Sequence, residues 1–283
     1  TIYSPDGQMD SEGNRIIRFE KDALVGTIVT DEKGKGTLNN LPIGKFYIKE
    51  TKTGDSFVLD PKEQDFEITY QGQEVAVDYV TKEIKNQRQK VEIEVLKRSE
   101  ATKEPLAGVS FGLYAGEDLL NAAGEIVVKK DELVAVGKTD EEGKLKYQDT
   151  IPHGKYYLKE LENLPGYLPF EEKIEIDASY TDPKLEVISI QKEVENQPTK
   201  VEITKTDITG EKEVEGAKLQ ILDKEGDVVE EWTSTKEPHL IYALKPGKYI
   251  LHEEQAPTEN GYVKAEDVEF TVEETGEVQK VSM

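Results

Sequence analysis

Gly154-Lys155-Tyr156-Tyr157-Leu158-Lys159-Glu160 is the stretch on which the fold turns. Tyr156 and Leu158 alternate with Lys155 and Lys159, the period-two pattern of a half-buried β-strand. The stretch occurs twice more, as Gly44-Lys45-Phe46-Tyr47-Ile48-Lys49-Glu50 and as Gly247-Lys248-Tyr249-Ile250-Leu251-His252-Glu253. Its glutamates stand at 50, 160 and 253, so the copies lie 110 and 93 residues apart. The turns Thr30-Asp31-Glu32-Lys33-Gly34 and Thr139-Asp140-Glu141-Glu142-Gly143 precede the first two copies. Lys90-Val91-Glu92-Ile93 returns 110 residues later as Lys200-Val201-Glu202-Ile203, each after an Asn-Gln pair, Asn86-Gln87 and Asn196-Gln197. A period this long marks tandem domains rather than a solenoid. It divides the chain into modules 1–88, 89–198 and 199–283.

Alternation recurs in Val91–Val95, Lys173–Ile176, Val201–Ile203 and Val268–Val272, with Gly, Pro and Asp turns between the runs. The expected fold is all-β, a series of immunoglobulin-like β-sandwiches. Residues 117–135 read as either one helical turn or a long hairpin, and no long helix is expected. Short connections, the second stiffened by Pro198, predict modules set end to end in an elongated rod. Aligned on the repeats, Tyr3 corresponds to Tyr114 and Met283 to Val194. The first module is therefore expected to lack its first strand and the third the end of its last. One complete module then lies between two incomplete ones, as in a monomeric piece of a longer chain.

Composition removes several function classes. The chain of 283 residues has no cysteine, which excludes disulfides, thiolate metal sites and cysteine nucleophiles. Its 36 Lys+Arg against 59 Asp+Glu give a formal charge of −23, unsuited to nucleic acid or an anionic membrane. The charges are spread between apolar positions, as on solvated outer faces. His153, His239 and His252 have no metal-ligand spacing, and Asp223-Lys224-Glu225-Gly226-Asp227 reads as a turn rather than a calcium loop. No phosphate-binding glycine motif is present, and no metal or cofactor is expected.

Period-two bookkeeping exposes three polar residues on core-facing sides. Val91, Ile93, Val95 and Lys97 share a parity, as do Val201, Ile203 and Lys205. Tyr156, Leu158 and Glu160 share a face, as do Phe46, Ile48 and Glu50, and Tyr249, Leu251 and Glu253. On the closing strand Val194 goes with Asn196, and Ile84 with Asn86. Fraying at strand ends explains any one of these, but recurrence in register with the repeat argues for a built site. A buried ammonium or carboxylate must find a partner or change its protonation state.

At these residues the sequence resembles a known family. Lys97-Arg98-Ser99, Pro105-Leu106-Ala107-Gly108 and Phe111-Gly112-Leu113-Tyr114 look like the opening of a Cna B-type (collagen-adhesin B repeat, prealbumin-like) domain. Lys205-Thr206-Asp207 and Gly216-Ala217-Lys218-Leu219 open the third module in the same way. The glutamate-bearing strand, followed by Pro165-Gly166-Tyr167 or by Ala256-Pro257 and Gly261-Tyr262, and the closing Val194-Glu195-Asn196 are similar to the family's. The resemblance implies a spontaneous isopeptide bond between Lys97 and Asn196, assisted by a buried Glu160. Glu50 and Glu253 hold the equivalent acid positions, and Lys205 and Asn86 are candidates without their partners. A lysine neutralised by burial supplies the nucleophile, and a protonated Glu160 is expected to polarise the carboxamide oxygen.

The function implied is the stalk of a Gram-positive, cell-wall-anchored adhesin or pilin, extracellular and non-enzymatic apart from the self-crosslink. Its partners are neighbouring modules of the same polypeptide, with any host or matrix ligand bound through another region. Leu41-Pro42-Ile43-Gly44 is not a sorting signal. A direct ligand-binding adhesin module is the alternative, with Trp232 as the candidate platform, although its alternation with Val228 and Glu230 reads as a packed strand residue. An isolated transthyretin-like carrier would need an apolar pocket that nothing in the sequence signals.

Overall fold

The computed structural model describes residues 2–4, 8–9, 12, 15–16, 19–75, 78–121, 124–148, 151–210 and 212–283. These form two compact units: Thr1–Val91 with Ser179–Ile188, and Glu92–Ala178 with Ser189–Met283. Strands dominate, and the one helical turn among the described residues is Thr258–Asn260.

The first unit has a four-stranded sheet in the order Ala23–Gly26, Ile2–Ser4, Gly44–Ile48, Gln64–Ile68. Its core is Ile2, Phe46 and Tyr47, with Phe46 stacked on Phe66 at 5.5 Å between ring centroids. The parity reading expects Ile84 and Asn86 on a closing strand. The structure instead gives residues 78–87 no strand, although both side chains are half-buried. A strand exists through its ladder of hydrogen bonds, and this segment makes isolated ones instead, such as that from the Gln64 side chain to the Glu83 carbonyl at 3.3 Å.

The second unit contains the same sandwich twice. In the first copy a sheet ordered Lys144–Tyr147, Lys90–Ser99, Val187–Asn196 accompanies one ordered Leu133–Lys138, Ser110–Ala115, Gly154–Glu162, Ile174–Ala178. In the second, His239–Tyr242, Lys200–Thr204, Val278–Ser282 accompany Val228–Thr233, Lys218–Leu222, Gly247–Gln255, Val268–Val272. Residues 119–128 resolve the helix-or-hairpin alternative as a hairpin, Leu119–Leu120 paired with Ile126–Val128. The all-β, tandem-sandwich expectation holds.

Alternation explains the core. Along Lys90–Ser99 the buried residues are Val91, Ile93, Val95, Lys97 and Ser99, and the residues between them are only half-buried. Phe111, Leu113, Tyr156, Leu158 and Val194 meet them as buried residues of the same sandwich. Each fully buried apolar side chain contributes roughly 1.5–3 kcal/mol. The equivalent core of the last sandwich is Val201, Ile203, Leu219, Ile221, Tyr249 and Leu251. Trp232 packs against that core and stacks on His239 at 4.4 Å, so it fills the sandwich instead of forming a platform.

Two glycines hold the frame around the first copy of this sandwich. Gly143 closes the Asp140 turn with φ +72°, and a Cβ there would meet the Lys97 carbonyl oxygen at 2.4 Å. The backbone amide of Lys97 donates to the Gly143 carbonyl at 2.7 Å, so this glycine fixes where the lysine strand runs. Gly166, at φ +90°, accepts from the Thr199 amide at 2.8 Å and comes so close to Ala243 that a Cβ would lie 2.2 Å from its carbonyl oxygen. Strain at a left-handed position costs about 1–3 kcal/mol. Gly143→Ala is expected to lower stability by at least that much, measured as a shift of the urea midpoint. An unchanged midpoint would refute the close approach.

Candidate functional site: lysine, glutamate and asparagine sealed in one sandwich

Three strands deliver three polar side chains to one end of the first copy of this sandwich. Lys97 follows Val95 on the inward parity of its strand and is 0 % exposed. Asn196 ends the neighbouring strand Val187–Asn196 and is 1 % exposed. Glu160 stands on Gly154–Glu162, opposite Phe111 in the other sheet, with its side chain 2 % exposed. The Lys97 Nζ touches the Asn196 Oδ1 and donates to the Val194 carbonyl at 3.3 Å. The Asn196 Nδ2 donates to the Glu160 Oε1 at 2.9 Å and to the Asn163 Oδ1 at 2.7 Å. The Glu160 Oε1 also accepts from the Phe170 amide at 3.4 Å, while its Oε2 makes no hydrogen bond and lies 3.8 Å from the Lys97 Nζ.

Burial sets the protonation of both charged groups. Desolvation pulls the Lys97 pKa down to about 8, against the opposing pull of the Glu160 carboxylate. Desolvation likewise pushes Glu160 up, opposed by its bond from Asn196 and by the charge of Lys97. Both shifts run toward the uncharged forms, an amine for Lys97 and a carboxyl for Glu160.

The geometry differs from the sequence expectation in one respect. Glu160 meets the nitrogen of the Asn196 carboxamide, whereas the carboxamide oxygen faces Lys97. Two groups hold this orientation: the Lys97 amine, which donates to the oxygen, and Asn163, which sequence reasoning missed and whose acceptor faces an N–H of Asn196. Asn163 has no counterpart in the repeats, where Thr53 and Ala256 stand three residues after Glu50 and Glu253, so periodicity could not reveal it.

The other candidates form partial versions of the site. In the first unit the Glu50 Oε2 accepts from the Asn86 Nδ2 at 2.6 Å and from the Asp60 amide at 2.7 Å. In the last sandwich Lys205, 7 % exposed, lies 3.4 Å from the fully buried Glu253, whose Oε2 accepts from the Ala265 amide. Among the described residues no carboxamide bonds to that pair, and the Glu253 Oε1 has no hydrogen-bond partner. All three glutamates thus accept an amide from the loop that follows their strand, a feature with no signature in residue type. No group of His, Asp and Glu suited to a metal occurs among the described residues.

Among curated proteins none matches the chain. Among solved structures, the Bacillus anthracis TIE protein is 28% identical with a TM-score of 0.53, covering 90% of this chain and 44% of its own. The chain thus spans less than half of that relative. A Streptococcal ancillary pilin is 23% identical over 86% of this chain and 75% of its own, with a TM-score of 0.30. The shaft pilin SpaA from Lactobacillus rhamnosus GG is 14% identical over 69% and 96%, with a TM-score of 0.34. The family model for the SpaA prealbumin-like fold domain matches residues 2–83, 91–193 and 199–283. The resemblance to prealbumin-like domains is borne out across nearly the whole sequence, and the chain belongs to the SpaA prealbumin-like fold domain family.

Proposed function

We propose that the chain is a structural stalk region of a bacterial surface adhesin or pilin, with modules 1–88, 89–198 and 199–283. The middle module closes itself by an isopeptide bond between Lys97 and Asn196. The observation that carries this reading is a lysine with no water access, in contact with a carboxamide and within 3.8 Å of a buried carboxyl. Such a lysine is expensive as a structural device and apt as a nucleophile. Its family supplies the context, since pilins are among the similar structures. They also favour a cell-surface location and neighbouring modules as partners.

In the reaction the Lys97 Nζ attacks the Asn196 Cγ, the Cγ–Nζ bond forms, and the Cγ–Nδ2 bond breaks. One proton leaves Nζ and one must reach Nδ2, so that ammonia departs. The Glu160 Oε2 faces the atom that loses the proton, and its Oε1 is bonded to the atom that gains it. The carboxyl can take one and give the other, ending as it began. The sandwich holds amine and carboxamide in contact, which replaces substrate binding. No cofactor is required.

The crosslink would tie the first strand to the last across a separation of 99 residues. By the chain-entropy model for disulfides, a loop of ~100 residues is worth up to ~4.7 kcal/mol. Tension entering by one terminal strand would leave by the other without extending the sandwich. Lys97→Ala and Asn196→Ala are expected to keep their full unmodified mass and to unfold at lower urea. Either variant still losing ammonia would overturn the assignment.

The pH dependence follows from the two shifts. The reactive pair shares one proton, held by the carboxyl while the amine is neutral. Acid adds a second proton and blocks the amine. Above the Lys97 value of about 8 the pair loses its last proton, and none remains for the departing nitrogen. Crosslinking, followed as ammonia lost with time, is expected to peak between the raised Glu160 and the lowered Lys97 values. A rate that rises without limit into alkali would contradict the role of Glu160.

A further inference from the structure

The carboxyl of Glu160 cannot by itself decide which way the Asn196 carboxamide points. Burial favours its neutral form, which both donates and accepts, so it can bond either the nitrogen or the oxygen of a carboxamide. The two orientations are chemically unequal. With Nδ2 toward Glu160, the departing nitrogen lies at the proton source. With the carboxamide reversed, it lies against Lys97 and away from that source.

Asn163 removes the ambiguity. One end of its side chain lies 2.6 Å from the Tyr167 backbone carbonyl, which can only accept, so that end is Nδ2. The other end is then Oδ1, and it lies 2.7 Å from the Asn196 carboxamide, which must present a donor to it. Reversal would set two carbonyl oxygens against each other at that distance. In the first unit the Asn86 Nδ2 likewise donates to Glu50 and to the Val58 backbone carbonyl at 2.9 Å, again a group that only accepts. Both asparagines therefore meet one carboxyl and one obligatory acceptor.

We propose that Asn163 is a positioning residue for the crosslink, its side-chain oxygen holding the leaving nitrogen of Asn196 against Glu160. The inference rests on the crosslink reading above. Asn163 touches Asn196 but exchanges no atom or proton with it. In this sandwich the obligatory acceptor is a side chain, so substitution can remove it without altering the three reacting residues.

The test is a time course of ammonia loss by intact mass, on the full 283-residue chain made by pulsed cell-free translation. Asn163→Leu keeps the shape and removes the acceptor, and its half-time is expected to lengthen by about tenfold or more, equivalent to about 1.4 kcal/mol. Asn163→Asp, protonated on the oxygen that meets the Tyr167 carbonyl, keeps an acceptor toward Asn196 and is expected to restore most of the rate. Circular dichroism checks that each variant is folded. A folded Asn163→Leu chain that crosslinks at the wild-type rate overturns the proposal. Should that variant not fold, a folded Asn163→Asp chain as slow as Glu160→Gln overturns it equally. A wild-type chain that never loses ammonia overturns the crosslink reading itself.

Discussion

A lysine amine with no access to water, set between a carboxyl and a carboxamide, is the constraint around which the sandwich that holds Lys97 is arranged. Removing an ammonium from water costs several kcal/mol, and Lys97 recovers only part of it from a carboxyl 3.8 Å away. The remainder shifts the balance toward the neutral amine, which the pKa lowered to about 8 expresses. The surroundings then follow. The strand must run inward as far as residue 97, and Gly143 lets a turn pass against its backbone. The glutamate comes from one sheet of the sandwich, and the lysine and asparagine come from neighbouring strands of the other.

The three occurrences of the glutamate strand show one frame with different contents. Each glutamate accepts a backbone amide from the loop after its strand: Asp60 for Glu50, Phe170 for Glu160 and Ala265 for Glu253. That amide fixes the carboxyl before any lysine or asparagine is considered. Around Glu50 an asparagine is present, around Glu253 a lysine, and around Glu160 both. The frame is a property of the fold, and the chemistry depends on what the neighbouring strands bring to it.

Much of this was legible in the sequence because a β-strand converts residue parity into sidedness. Val91, Ile93 and Val95 announce which face Lys97 shares, and Tyr156 and Leu158 do the same for Glu160. What parity cannot encode is orientation about a side-chain bond. Whether Glu160 meets the nitrogen or the oxygen of Asn196 depends on Asn163, a residue past the end of the strand, tied to the Tyr167 carbonyl by local loop geometry. Parity also fails where no ladder exists. Ile84 and Asn86 keep their half-buried sides, but their segment joins no described sheet and forms no strand. Residues 117–135 leave two readings open for a related reason: short apolar runs of two or three residues fit either period until pairing, here of Leu119–Leu120 with Ile126–Val128, decides.

The central claim is that Lys97 and Asn196 become one covalent unit. The most direct measurement is proteolysis of the unmodified chain followed by mass spectrometry of the peptides that contain residues 97 and 196. The account predicts a single branched peptide joining them, lighter than the sum of its parts by one ammonia. Two separate linear peptides at full mass, recovered from folded protein, would contradict it.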